Sequence, residues 1–173
     1  MRVLAAVVSV LVASQAATPV SRAPFIPTPP PVVSAMLEAA RVGPRDVVYD
    51  LGSGDGRIVI EAAKAFGAHG VGVELDPRLI DEARLRARNA GVAGRVRFER
   101  RDLFEVDLRP ATVVTLYLLP EMNARLRPKL QQELRPGARI VAHSFAIPGW
   151  LPERRIEVGE RSIFLWTLTA RAR

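Results

Sequence analysis

The chain has no cysteine in its 173 residues, which excludes disulfides, thiolate metal sites, cysteine nucleophiles and cysteine-ligated iron–sulfur clusters. Histidine is nearly as scarce. His69 and His143 are the only two, too few for a typical zinc site and not at ligand spacing from each other, so each reads as a surface or core residue. Aromatic residues make up only 6%, little material for stacking nucleic-acid bases. Lysine is confined to Lys64 and Lys129, and the rest of the 25 basic residues are arginine. Those arginines are spread along the chain. The net charge of +7 therefore reads as a general arginine bias rather than a selected basic patch, and it argues only weakly for a nucleic-acid partner.

What is present describes a folded protein: 49% hydrophobic and 25% charged residues fit a globular chain, and the length fits one catalytic domain without a separate substrate domain. Only the start differs. Met1-Arg2 leads into an apolar run from Val3 to Val12 and then small residues to Ala17. That is the layout of a secretory signal, too short to span a bilayer, with cleavage expected after Ala16 or Ala17. Residues 1–17 are thus expected to be a signal or membrane-targeting leader and the protein to be exported or membrane-associated; an uncleaved leader or a misplaced start, with a cytoplasmic enzyme, is the alternative. Residues 18–31 hold six prolines and read as an extended arm. The domain proper is expected over 32–173, with a first helix from Val33 to Ala40 stopped by Gly43-Pro44.

From Asp46 onward, short apolar runs alternate with longer amphipathic stretches, the pattern of a mostly parallel sheet with helices on both faces. Strands are expected at Val47–Tyr49, Val71–Glu74, Arg95–Glu99, Ala111–Leu118 and Ala138–His143. Helices are expected at Arg57–Phe66, at Pro77–Ala90, and from Pro120 to about Leu134, the last kinked or broken at Pro128. The final pair, Arg155–Glu160 and Ser162–Thr169, is close enough in sequence to form an antiparallel hairpin.

The first strand runs into Asp50-Leu51-Gly52-Ser53-Gly54-Asp55-Gly56 and then a helix, so backbone can approach a ligand lying over the helix N-terminus. The glycines follow G-x-G-x-G. Arg57 stands where a dinucleotide fingerprint wants its third glycine, and no Lys-Ser or Lys-Thr of a phosphate loop follows. Glu74, at the end of the second strand, is placed to accept both hydroxyls of a ribose. Asp102, beside Leu103 after the third strand, reads either as an acceptor for an adenine amine or as a turn residue capping its own loop.

These stretches resemble the class I S-adenosylmethionine-dependent methyltransferases. The likeness is greatest to the lysine methyltransferases that in animals modify mitochondrial ATP synthase and the adenine nucleotide translocase, and to their short bacterial and archaeal relatives. It is carried by Pro24-Phe25-Ile26-Pro27-Thr28, by Val48 to Ile60, by Gly72-Val73-Glu74-Leu75-Asp76-Pro77, by Arg101-Asp102-Leu103-Phe104, by Gly137 to Val141, and by Phe145 to Trp150. It spans Pro24 to the C-terminus. The resemblance implies a Rossmann-like α/β fold with a C-terminal antiparallel hairpin and S-adenosylmethionine as cofactor. The cofactor would be bound by Thr28, Asp50, Gly52, Ser53, Gly54, Asp55, Gly56, Glu74, Asp102 and Leu103.

Within that set, Asp50 would accept from the ammonium of the methionine moiety, or from nearby backbone amides. Thr28 would bond its carboxylate, unless the arm touches nothing. Tyr117 is the candidate for orienting the acceptor, its alternative being a core tyrosine. The fourth strand ends Leu118-Leu119-Pro120 and lacks the Asn/Asp-Pro-Pro-Tyr signature of enzymes that methylate bases or glutamine. A protein lysine acceptor is therefore expected, ahead of a small-molecule acceptor or a non-catalytic cofactor-binding role, with no nucleic acid and membrane association through the leader.

Overall fold

The computed structural model describes residues 25–169. The expected leader, and the part of the arm before Phe25, lie outside the described residues.

Among the described residues eleven elements follow in order: α1 (Pro30–Ala39), β1 (Val47–Leu51), α2 (Arg57–Phe66), β2 (His69–Glu74), α3 (Pro77–Asn89), β3 (Val96–Arg100), β4 (Val113–Leu116), α4 (Pro120–Glu133), β5 (Arg139–His143), β6 (Arg154–Val158) and β7 (Arg161–Thr167). One sheet holds these seven strands in the order β3-β2-β1-β4-β5-β7-β6. The first five are parallel; β7 runs antiparallel to both β5 and β6.

Alternation along the strands sends neighbouring side chains to opposite faces, because the side-chain period of a strand is two. Val48, Val113 and Val141 join one core with Met36, Leu37, Val59, Ala62 and Ile80 of α1 to α3. Tyr49, Val114 and Ile140 join the other, under Leu126 and Leu130 of α4. The expectation of helices on both faces is met by these two cores. Strand order reverses at β1 and β4, whose C-terminal ends open the crevice where such sheets bind ligands.

Most boundaries shift by one or two residues from the sequence expectation, and four differences bear on the site or on helix geometry. Helix α1 starts at Pro30, with Pro30 and Pro31 in its first turn, where the missing N–H would be unpaired in any case and φ is already helical. The end of the proline arm is thus part of the helix. Strand β3 runs from Val96 to Arg100, one residue later than expected. Strand β4 covers only Val113–Leu116, so Tyr117 and Leu118 stand beyond the ladder, at the crevice. Helix α4 continues through Pro128. That proline removes one hydrogen bond, to the carbonyl of Ala124; Ala124 is exposed and Pro128 lies on the same open face, so water can take the freed acceptor.

Candidate active site

Thr28, Asp50, Gly52, Ser53, Asp55, Glu74, Asp102, Leu103 and Tyr117 all line one cavity of about 720 Å³ at the C-terminal ends of the parallel strands, within the size range of roughly 300–1,000 Å³ usual for small-molecule sites. Gly54 and Gly56 shape the loop beneath it. At φ +53 and +76 both adopt the left-handed conformation that side chains disfavour. A Cβ on Gly54 would stand 2.1 Å from Cε2 of Phe25, and one on Gly56 would stand 2.5 Å from Phe98.

Glu74 braces this loop as well as facing the cavity. Its Oε2 accepts from the Gly54 amide at 3.0 Å, and its Oε1 accepts from the amides of Leu75 at 2.7 Å and Asp76 at 3.0 Å. A carboxylate held by three backbone donors is fixed in orientation yet keeps lone pairs for further donors. Asp50 is fully enclosed. Burial, opposed by a hydrogen bond from Thr115 and reinforced by the nearby Glu74 and Asp55, pushes its carboxyl up to about 7. Such a group gains from an arriving cation.

Asp55 has a different part. Its carboxylate receives Nε of Arg57 at 3.0 Å and Nη2 at 2.6 Å, with Nη2 of Arg86 at 3.3 Å. These guanidinium groups hold it below the ordinary carboxylate range against the opposing effect of burial. Arg57, so fixed, donates from Nη1 to the Thr28 carbonyl at 3.0 Å. The arm therefore does not hang free. Its Thr28 hydroxyl also meets Nδ1 of His143 at 3.2 Å, and Phe25 lies over Gly54. In Asp102, Oδ1 accepts from the Phe104 amide at 2.9 Å, so the turn role is filled while the residue also faces the cavity.

Three contributors to the site were not singled out from sequence. His143 is fully buried, its ring centroid 3.9 Å from that of Tyr117. Asn123 donates to the carbonyls of Leu118 and Phe145 at 3.4 and 3.1 Å, joining the loops after β4 and β5. Ser144, at φ +62, turns the chain so that Phe145 lines the cavity. The role of Arg57 did carry a local signal, since Asp55 lies two residues before it and its first-turn place beside the glycine loop was legible.

The residues fit a cationic nucleoside ligand. Ser53 Oγ is buried in the cavity wall without a hydrogen-bond partner among the described residues, Asp50 offers a buried carboxyl to a cation, and Glu74 offers two oxygens to vicinal hydroxyls. Sheet order, glycine loop and strand-end acids together define a class I S-adenosylmethionine-dependent methyltransferase. Comparison with known proteins agrees: residues 50–154 match the ANTKMT methyltransferase domain, and the chain belongs to that family. It is 49% identical to a protein-lysine N-methyltransferase of Saccharolobus islandicus, over 80% of this chain and 87% of that protein. It is 39% identical to the adenine nucleotide translocase lysine N-methyltransferase of Mus musculus over 83% of this chain, and spans only 61% of the mouse protein. Among solved structures, one described as an RNA methyltransferase from Salinibacter ruber in complex with S-adenosyl-L-homocysteine is 51% identical. The match covers 86% of this chain and 97% of that one, with a TM-score of 0.83.

Proposed function

We propose that this chain moves the methyl group of S-adenosylmethionine to the ε-amine of a lysine in a protein acceptor. The observation that carries the reading is the exit of β4. The stretch from Val113 to Pro120 holds no Asn/Asp-Pro-Pro-Tyr signature of base- and amide-methylating enzymes. Leu118, Leu119, Met122 and Phe145 line that side of the cavity, leaving an apolar collar suited to an aliphatic side chain. The names of the lysine-methylating relatives support the same acceptor.

The bound cofactor supplies an electrophilic methyl on a sulfonium, and the protein's work is placement and exclusion of water. A lysine must arrive neutral, against a reference pKa of about 10.4. Passing its ammonium through the collar of Leu118, Leu119, Met122 and Phe145 desolvates the charged form and drives the proton back to solvent. No residue need then act as general base. Tyr117 lines the cavity with its ring against His143, so its orientation is fixed for contact with the incoming amine.

The Salinibacter relative's description and the net charge of +7 favour RNA as a second acceptor class. Arg57, Arg86 and Arg139, however, are already paired with Asp55 and Asp46. Incubating the full chain with tritiated S-adenosylmethionine and host extract separates the readings. Label that resists ribonuclease and is recovered as methyl-lysine after hydrolysis is expected; label lost to ribonuclease overturns the lysine reading.

Among the described residues no helix is long and apolar enough to cross a membrane. The leader over residues 1–17 is proposed to carry the enzyme to the membrane. Fractionation of host cells tests this, and recovery of the full chain wholly in the soluble fraction overturns it.

A further inference from the structure

His143 ends β5, is 0% exposed, and touches both sides of the site. Its Nδ1 lies 3.2 Å from the Thr28 hydroxyl of the arm, and its ring packs on Tyr117. Its Nε2 is buried without a hydrogen-bond partner among the described residues. Burial, then the charge of Arg161, depresses the imidazole to about 4, so it is neutral under working conditions and carries one proton.

Where that proton sits has a consequence for Thr28. With the proton on Nε2, a buried N–H would have no acceptor. With it on Nδ1, the bare Nε2 lone pair is the orphan instead, and orphaned buried N–H groups are rarer than under-satisfied acceptors. The Nδ1–H then donates to Thr28 Oγ1. A hydroxyl that accepts from the imidazole must aim its own proton elsewhere, and Thr28 lines the cavity. Nδ1 of His143 thus makes Thr28 a donor toward the ligand.

We propose that His143 is a positioning residue: it holds the Thr28 hydroxyl as a hydrogen-bond donor to the carboxylate of the cofactor's amino-acid moiety. The proposal rests on the methyltransferase reading and adds to it a residue that never touches the cofactor. It also ties the arm to the acceptor side of the site, because the same imidazole stacks on Tyr117.

The test is calorimetric titration of two ligands into the full chain. S-adenosylhomocysteine has the amino-acid moiety, whereas 5′-methylthioadenosine keeps adenine, ribose and sulfur without it. Thr28→Val and His143→Leu are each expected to weaken S-adenosylhomocysteine about tenfold, the range for a hydrogen bond to a charged group. The double variant should fall no further, and 5′-methylthioadenosine should bind all forms alike. His143→Asn keeps an amide donor near the Nδ1 position and should restore affinity to within about threefold of the natural chain. Parallel loss of both ligands, losses that multiply in the double variant, or an Asn variant no better than Leu overturns the proposal. If His143→Leu fails to fold, Thr28→Val decides alone, because unchanged S-adenosylhomocysteine affinity there is also fatal. Absence of binding by the natural chain would instead overturn the methyltransferase reading itself.

Discussion

Thr115 Oγ1 on β4 donates a 2.7 Å hydrogen bond to Oδ1 of Asp50, its register partner on β1. That bond works against the burial that has pushed the carboxyl up to about 7. At neutral pH, Asp50 is divided between its protonated and ionised forms. A cationic ligand binds the ionised form better, so binding releases protons. Affinity for S-adenosylhomocysteine should therefore rise between about pH 6 and about pH 8, by at most about tenfold per unit. Calorimetry in buffers of different ionisation enthalpy reads the released proton directly; a flat profile would detach Asp50 from the ligand's ammonium.

The same group makes a stability prediction of definite sign. Its folded pKa lies above its unfolded value, so the contribution is full at low pH and is lost as pH rises from about 4 through about 7. Asp50→Asn removes that loss. It should melt higher than the natural chain above neutrality, by about 4 °C, while binding the cofactor less well. A variant that both melts lower and binds normally would contradict the assignment.

Glu74 braces three amides and faces the cavity, so its loss should be felt twice. Glu74→Ala is expected to weaken cofactor binding about a hundredfold and to destabilise the fold by about 1 kcal/mol, the usual net worth of hydrogen bonds at partly exposed donors. Glu74→Gln, which keeps one carbonyl acceptor, should recover most of the stability and little of the affinity. Denaturant titration beside calorimetry distinguishes these effects.

Arg57 is the link between the glycine loop and the arm. Arg57→Lys keeps the charge but not the planar fork that meets Asp55 twice, and the Thr28 carbonyl loses its donor. The start of α1 should then open more often. Hydrogen exchange at Val32 and Val33, whose amides bond to the Pro29 carbonyl, should quicken about fivefold or more, corresponding to about 1 kcal/mol of lost local stability. Unchanged exchange would mean that the Thr28–His143 contact and the packing of Phe25 hold the arm without Arg57.

Ser144 adopts φ +62 immediately after His143, a conformation that glycine takes without strain. Ser144→Gly should leave stability within about 1 kcal/mol of the natural chain, whereas Ser144→Val should lower it by about 1–2 kcal/mol. Thermal melts of the two variants check the pair.

The parallel sheet and the glycine loop were legible because both follow from local pattern: short apolar runs between amphipathic helices, and glycines where the chain must turn against a ligand. Edges were less so. The apolar run 111–118 does not reveal where β4 leaves its ladder, since Tyr117 and Leu118 remain apolar after the hydrogen bonds to β1 have stopped. Pro30 and Pro31 read as arm because proline excludes a helix interior, yet the first turn tolerates it. Glu74 and Asp50 could be named from their strand ends. His143 could not, because its meaning depends on Thr28, 115 residues away in sequence, and on a stack with Tyr117 beyond the end of another strand. Asp55 was recognisable as a loop residue, but its pairing with Arg86 comes from the packing of α2 against α3.

The contact between Thr28 and His143 also dictates an order of assembly. The arm leaves the ribosome early and meets Arg57 first, but its Thr28 hydroxyl finds His143 only when β5 has been made and docked beside β4. Until then the arm is held to the glycine loop alone, with no tie to the acceptor side. A chain ending before His143 lacks both β5 and this contact, so the full hold on a methyl donor arrives late, with the last third of the polypeptide.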